Sequence, residues 1–211
     1  LAGAFALTQP ELVIDVGANR GQFYQLCRGA GYTGEMWCFE PSPTEFEKLR
    51  NLLREDRQAR VFNLGVGSKC DKLILNVSGK MGDMSSFLEQ NDLYTRRFKS
   101  GKLREKIEVD VVTLEHLLGV EKPDFSGAIF LKTDTQGFDK HVIEGLGKYS
   151  DKGMLKGIKT EMSVQGIYVD SPSHWEILDI LKEIGLEPIY FEHISRTEDY
   201  RLIEYDIIAI R

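Results

Sequence analysis

The sequence lacks the features that define several protein classes. Its three cysteines, Cys27, Cys38 and Cys70, are odd in number and form no CxxC pair, so we expect neither a disulfide framework nor a cysteine zinc site. No run approaches the roughly 18 consecutive apolar residues of a membrane helix. The first residues, LAGAFAL, lack the basic leader of a secretion signal. We therefore expect a cytoplasmic protein with no membrane partner.

Positive charge is also scarce. The chain has 27 Lys and Arg residues against 33 Asp and Glu residues, a formal charge of -6, so a nucleic-acid partner is not expected and a neutral or cationic one is easier. Residues 95–106 (TRRFKSGKLREK) are a basic exception, and they are either a solvated surface or a lid that contacts an anion.

The length and composition are those of one ordinary globular domain. The chain has 211 residues, of which 42% are hydrophobic and 28% charged. No repeat, low-complexity tract or Pro/Gly/Ser-rich linker divides it. We therefore expect a single domain over residues 1–211, and nothing in the sequence indicates its oligomeric state.

Short apolar runs alternate with segments of helical periodicity, which is typical of βα units and a mostly parallel sheet. Predicted strands are Leu12–Val16, Glu35–Glu40, Arg60–Leu64, Ala128–Thr133 and Leu155–Met162. Predicted helices are Gln22–Arg28, Pro43–Glu55, Thr113–Leu118, Asp139–Leu146 and His174–Ile184. Ser42 is the expected cap of the second helix, and Ser171 or Ser173 that of the last.

Two regions depart from the βα alternation. Lys72–Val77 and Lys106–Val112 alternate like strands with no long helix between them, which predicts a β-rich insert at about residues 69–112. Glu187–His193 and Leu202–Arg211 follow each other without a helix, so they should pair as an antiparallel hairpin. The predicted fold class is α/β, with a mostly parallel sheet that ends in this hairpin.

The turn after the first strand, DVGANRG, indicates a small-molecule site. Gly17 permits unusual dihedral angles and close approach of a ligand, and the turn is expected to expose backbone N–H groups. A dinucleotide motif would place a second glycine where Asn19 stands, so an NAD-type oxidoreductase is the weaker interpretation. Gly21 should let the next helix pack near the strand.

A second acidic residue supports a nucleoside site. Glu40 ends the second strand 23 residues after Gly17, where α/β folds place the carboxylate that binds the ribose hydroxyls. Pro41 and Pro43 stop the strand and fix the turn that carries this carboxylate.

The runs IDVGANRGQF, CFEPSP and FLKTDTQGFDKHVIEGL resemble the successive motifs of the FkbM-type family of methyltransferases that depend on S-adenosylmethionine (SAM). The resemblance covers nearly the whole chain. It implies a Rossmann-like class I methyltransferase fold with a seven-stranded sheet whose last strand is antiparallel. It also implies SAM as cofactor and O-methylation of a hydroxyl on a sugar or another small metabolite.

The resemblance assigns cofactor contacts by position. It places Asp15, Gly17, Asn19 and Gly21 at the methionine end of SAM, Glu40 with Pro41 at the ribose, and Asn63, Gly65 and Val66 near the adenine. Ser85 and Ser86 resemble a serine pair in the insert. The sequence departs from the family at Gln136, where Glu is frequent, so an acid or metal role there is in doubt and a catalytically silent SAM-binding or partner-binding module remains an alternative.

Two carboxylates are candidates for the chemistry, Asp134 and Glu161, because they close the two central strands. Either is a candidate general base that removes the acceptor's proton or orients the acceptor. Sharing a divalent cation is a second interpretation, and a structural role a third. No metal site is predicted. Four residues are expected to line the pocket of the hydroxylated acceptor: Lys132, Gln136, Tyr168 and His174.

Overall fold

A computed structural model describes residues 1–98, 101–151 and 153–211, so two residues of the basic segment, 99 and 100, lie outside the described residues. The first half of the chain contains α1 (Ala2–Thr8), β1 (Leu12–Val16), α2 (Gln22–Gly29), β2 (Glu35–Phe39), α3 (Pro43–Leu53), β3 (Ala59–Phe62), β4 (Gly65–Val66), β5 (Asp71–Ser78) and α4 (Asp92–Arg97). The second half contains β6 (Leu103–Val112), α5 (Leu114–Glu121), β7 (Ile129–Thr133), α6 (Asp139–Glu144), α7 (Lys148–Asp151), β8 (Leu155–Ser163), α8 (His174–Glu183), β9 (Glu187–Arg196) and β10 (Leu202–Ile210).

A seven-stranded sheet organises the protein, in the order β3-β2-β1-β7-β8-β10-β9. The pairs from β3 to β8 are parallel, whereas β10 runs antiparallel to both β8 and β9. The predicted α/β fold with a terminal antiparallel hairpin is therefore confirmed. The hairpin folds back so that the last strand of the chain, rather than β9, joins the parallel part of the sheet.

Side-chain alternation on the central strand separates two hydrophobic cores. Leu12, Ile14 and Val16 pack in one core, while Val13 packs in the other, as expected for residues that point to opposite faces of a strand. All five residues of β1 are buried. Helices therefore cover both faces, and the central strands have a nearly continuous apolar sequence.

The insert forms its own three-stranded sheet, in the order β4-β6-β5. The two predicted strands are present, and the short strand β4 joins them by pairing parallel to β6. Gly65 and Val66 therefore belong to the insert sheet and do not continue strand β3 of the large sheet. The insert also contains α4, whose first turn is capped by Asn91 accepting from the N–H groups of Leu93 and Tyr94.

Local capping explains how some helices start. Ser173 and Glu176 form a capping box at the start of α8, which decides between the two serines expected there. Ser42 occupies the cap position of α3 but accepts no hydrogen bond through its side chain, so its predicted capping bond is absent. The short helices α1, α4 and α7 were not predicted; each has seven or fewer residues, which carry little periodicity. No helix in the described part of the chain is both long and apolar enough to cross a membrane.

Candidate functional site

A cavity, here named the main cavity, opens at the carboxyl ends of the central strands. It has a volume of about 340 Å³. The chain leaves β1 toward β2 on one side and reaches β7 on the other, so the cavity lies where the strand order reverses, the usual ligand site of open α/β sheets. Its walls are residues 16–19, 22, 23 and 26, then 39–41 and 64–66, the insert residues 75, 82, 83 and 85–87, and residues 132, 134–136 and 159.

The backbone N–H groups of the turn after β1 are hydrogen-bonded within the protein rather than free. Every N–H from Gly17 to Gly21 donates within the chain: those of Gly17 and Ala18 to the carbonyl of Phe39, that of Asn19 to Glu40, that of Arg20 to Gln22, and that of Gly21 to Ala18. The prediction that this turn exposes N–H groups to a ligand is therefore wrong. A phosphate would find no free amide here, which fits a cofactor without phosphate.

Two glycines of the turn are required by packing within the protein. A Cβ atom on Gly17, whose φ is +75°, would lie 2.0 Å from the carbonyl oxygen of Asp134. A Cβ atom on Gly21 would lie 2.7 Å from a methyl carbon of Leu52 on α3. Gly21 therefore allows α2 and α3 to pack, not a helix and a strand as expected, and it does not line the cavity.

Glu40 lies at the cavity as predicted, immediately after β2. Its side chain is buried, and its two carboxylate oxygens accept the N–H groups of Asn19 at 2.9 Å and Ser42 at 2.8 Å. Each oxygen keeps a second lone pair for a ligand. Burial raises the pKa of Glu40 to about 7, although the two backbone donors oppose this shift.

Asn63 supports the turn that carries Glu40 and does not line the cavity. Its amide nitrogen donates to the carbonyl oxygens of Glu40 and Pro41, at 2.8 and 3.0 Å. The neighbouring residues 64–66 do form part of the wall. Asn63 therefore contributes to the site by holding a backbone turn rather than by direct contact.

Lys132 and Asp15 form a buried ion pair beside the turn. The Lys132 ammonium lies 3.0 Å from Asp15, 3.6 Å from Asp134 and 2.9 Å from the carbonyl oxygen of Gly17. Burial lowers the pKa of Lys132, but Asp15 and Asp134 outweigh it and raise the pKa, so the side chain is cationic. Lys132 lines the cavity, whereas Asp15 is fully buried and is not part of the wall. Asp15 therefore reaches a ligand only through Lys132.

The two candidate carboxylates occupy different positions. The side chain of Asp134 lines the main cavity and is 48% exposed. Glu161 lines a narrow neighbouring pocket together with Asp139 and Glu204. Burial, and then the charge of Glu204, raise the pKa of Glu161 well above its usual value. Of these two carboxylates, only Asp134 is placed to contact a ligand in the main cavity.

Gln136 lies between these carboxylates. Its amide nitrogen is 3.3 Å from Asp134 and 3.4 Å from Glu161, and its amide oxygen accepts from the hydroxyl of Tyr168 at 2.9 Å. Tyr168 lines the narrow pocket, and its hydroxyl oxygen also lies 3.3 Å from the carbonyl oxygen of Met84 in the insert. The amide of Gln136 is therefore already engaged by protein groups.

His174 is not in the cavity, contrary to expectation. Its Nδ1 lies 3.3 Å from the carbonyl oxygen of Ser163, and its ring packs on that of Trp175 at the start of α8. Nor does any group of three or more His, Cys, Asp or Glu side chains within the described ranges have an arrangement that would hold a metal ion.

The insert covers the cavity, and the sequence did not predict most of its contacts. Ser85 and Ser86 line the wall as expected; the Ser86 hydroxyl donates to the carbonyl of Gln136 at 2.8 Å. Leu75, Gly82, Asp83 and Phe87 line it as well. The side-chain amide of Asn19 connects the turn after β1 to the insert, because it donates to the carbonyl of Met81. For Leu75 the apolar alternation of β5 was an available signal, whereas Gly82, Asp83 and Phe87 had none.

Comparison with known proteins decides the family. The sequence matches the family model of the methyltransferase FkbM domain over residues 15–188. The chain belongs to the FkbM methyltransferase family. Its methyl donor is SAM, as predicted, and the alternative of an NAD-type oxidoreductase is wrong. No curated protein matches the sequence.

Solved structures show the same fold at low sequence identity. A precorrin-6y C5,15-methyltransferase from Geobacter metallireducens GS-15 is 11% identical with a TM-score of 0.50, covering 100% of this chain and 85% of that one. Aeropyrum pernix fibrillarin, solved with natively bound S-adenosyl-L-methionine, is 11% identical with a TM-score of 0.51, covering 99% and 73%. The METTL16 methyltransferase domain is 10% identical with a TM-score of 0.51, covering 99% and 65%. The FkbM protein thus has the Rossmann-like methyltransferase fold with a small additional insert sheet.

Proposed function

We propose that this FkbM methyltransferase transfers a methyl group to a hydroxyl of a small polar acceptor such as a sugar, and that Asp134 is the general base. The position of Asp134 carries the proposal. It follows β7 directly at the wall of the main cavity, and nearly half of its side chain is exposed. A base must reach the proton that it removes, and Glu161 lies in the narrow pocket behind Gln136.

The cavity has the chemical features needed to hold SAM. Glu40 offers two free lone pairs to the ribose hydroxyls. The cationic side chain of Lys132, held by Asp15 next to Gly17, suits the carboxylate of the methionine end. Apolar side chains of α2 and the insert, among them Leu26 and Phe87, suit the adenine. Asn19 and Asn63 keep the surrounding turns in place.

The residues of this chain supply positioning and proton transfer. When bound, SAM supplies a methyl group activated by its positive sulfur. Asp134 accepts the proton of the acceptor hydroxyl on a carboxylate oxygen, which increases the nucleophilicity of the acceptor. The ammonium of Lys132 lies 3.6 Å from this carboxylate and helps to hold it at the wall of the cavity. The covering insert limits access of water to the cavity.

A direct experiment tests the reaction and the base. The protein is incubated with SAM and a panel of sugars, polyols and amines, and the products are identified by mass spectrometry. We expect an O-methylated product and a fall in kcat of about 100-fold or more for Asp134→Asn, with the Kd of SAM changed less than threefold. Glu161→Gln is the matched control and should keep more activity than Asp134→Asn.

Other outcomes would contradict the proposal. N-methylation as the main product would replace the hydroxyl acceptor with an amine. Equal losses of kcat and SAM affinity in Asp134→Asn would place Asp134 in the cofactor site. Tight SAM binding without transfer to any member of the panel would favour the catalytically silent module.

A further inference from the structure

Gln136 has a left-handed backbone conformation, which residues with a glutamine side chain rarely adopt. Its φ is +56°, and Gly137 follows with a φ of +89°. Left-handed backbone at a residue other than Gly, Asn or Asp persists where surrounding contacts impose it, and such residues cluster at functional sites. The insert contacts this strained backbone directly, because the Ser86 hydroxyl donates to the carbonyl of Gln136 at 2.8 Å.

The side-chain amide of Gln136 is also held in place by contacts with neighbouring side chains. Tyr168 donates to the amide oxygen at 2.9 Å, which turns the NH₂ group away from the tyrosine. That NH₂ group lies 3.3 Å from Asp134 Oδ1 and 3.5 and 3.4 Å from the two oxygens of Glu161. The neutral NH₂ group of Gln136 therefore lies between the carboxyl groups of Asp134 and Glu161, which come from the adjacent strands β7 and β8.

We propose that Gln136 is a positioning residue whose amide takes the place of a cation between Asp134 and Glu161, with Tyr168 setting the orientation of that amide. Two carboxylates that share a site normally need a bound cation or a shared proton. The amide supplies partial positive charge to both and leaves Asp134 directed at the cavity. The catalytic consequence rests on the proposed function of Asp134, but the network itself does not.

Glutamate at this position would have the opposite effect. The isosteric carboxylate in Gln136→Glu places acceptor oxygens beside the two existing carboxylates, and three carboxylates are ligands that hard divalent cations prefer. The charged and titratable groups around this point are Lys132, Asp139, Lys159, Glu204, Asp206 and Tyr94. Lys132 already pairs with Asp15 and Asp134, and Lys159 with Asp206, so neither lysine is free to neutralise a carboxylate added at position 136.

Calorimetry with Mg²⁺ and Ca²⁺ tests the proposal without requiring an acceptor. We expect no heat of binding for the wild type and saturable binding of one cation for Gln136→Glu. Gln165→Glu is the matched control: Gln165 donates to the carbonyl of Leu202 and contacts neither carboxylate, so this variant should bind no cation. Cation binding by the wild type, or none by a folded Gln136→Glu, would overturn the proposal.

Nuclear magnetic resonance gives a second and independent readout. In the wild type the side-chain NH₂ signal of Gln136 should shift as the neighbouring carboxylates titrate, and the carboxyl midpoint should rise by about one pH unit or more in Gln136→Glu. Tyr168→Phe removes only a hydroxyl; it should keep the fold and broaden or split the NH₂ signal. An NH₂ signal that ignores pH and is unchanged in Tyr168→Phe would refute the network, whatever reaction the protein catalyses.

Discussion

Removing the carboxylate of Glu40 should weaken SAM binding without abolishing the fold. Glu40 has two lone pairs left after accepting the N–H groups of Asn19 and Ser42, so it offers at most one hydrogen bond to each ribose hydroxyl. Hydrogen bonds to a charged group contribute about 1.5–3 kcal/mol. The loss of one such bond corresponds to a rise of about 10- to 150-fold in the Kd of SAM, so Glu40→Ala should raise the Kd by at least about 10-fold and further if both bonds are lost.

The affinity for SAM should also depend on pH, in a direction that the pKa of Glu40 determines. Ribose hydroxyls donate hydrogen bonds, so they favour ionised Glu40, and burial raises the pKa of this group to about 7 in the unliganded protein. The affinity of the wild type for SAM should increase as the pH rises toward 7 and level off above it. Glu40→Ala should lose this dependence, because it has no carboxylate to titrate at this position.

Isothermal titration calorimetry with SAM between pH 5.5 and 8 measures both effects. Glu35→Ala is the matched control: Glu35 starts the same strand at its opposite end, where it pairs with Lys122 and accepts from Trp37. This variant should lose some stability but bind SAM within about twofold of the wild type. The ribose assignment would be refuted if Glu40→Ala, shown to be folded by circular dichroism, bound SAM with unchanged affinity and unchanged pH dependence.

Two further predictions concern stability. Gly17→Ala should unfold the protein or lower its free energy of unfolding by more than about 3 kcal/mol, because the added Cβ would lie 2.0 Å from the backbone of Asp134. Gly29→Ala is the control, since its Cβ would meet nothing within 4 Å. Urea unfolding measures the stability of both variants, and equal stabilities would contradict the geometry. Burial raises the pKa of Glu204 to about 7, so the stabilising contribution of its protonated form is lost as the pH rises from about 4.5 through 7. Glu204→Gln should therefore gain about 1–3 kcal/mol relative to the wild type between pH 5 and 8, and no relative gain would contradict this assignment.

The strands and long helices could be predicted because short-range patterns determine them. The continuous apolar run of β1 and the capping box of α8 are visible in consecutive residues. The position of Glu40 was predictable for a related reason: the end of a parallel strand is also one edge of the sheet. Residues of the insert that line the cavity, such as Phe87, were not predictable, because they reach the site only through the folding of β4, β5 and β6.

The sequence by itself determined the family, the methyl donor and the order of strands and helices, because motifs and periodicity are properties of neighbouring residues. Only the tertiary structure decided how the site residues divide their roles. It places Asp134 at the cavity and Glu161 behind Gln136, engages every N–H of the turn from Gly17 to Gly21 within the chain, and leaves His174 outside. The physical reason is that these roles depend on contacts between segments that are far apart in the chain, and the local sequence does not encode such contacts.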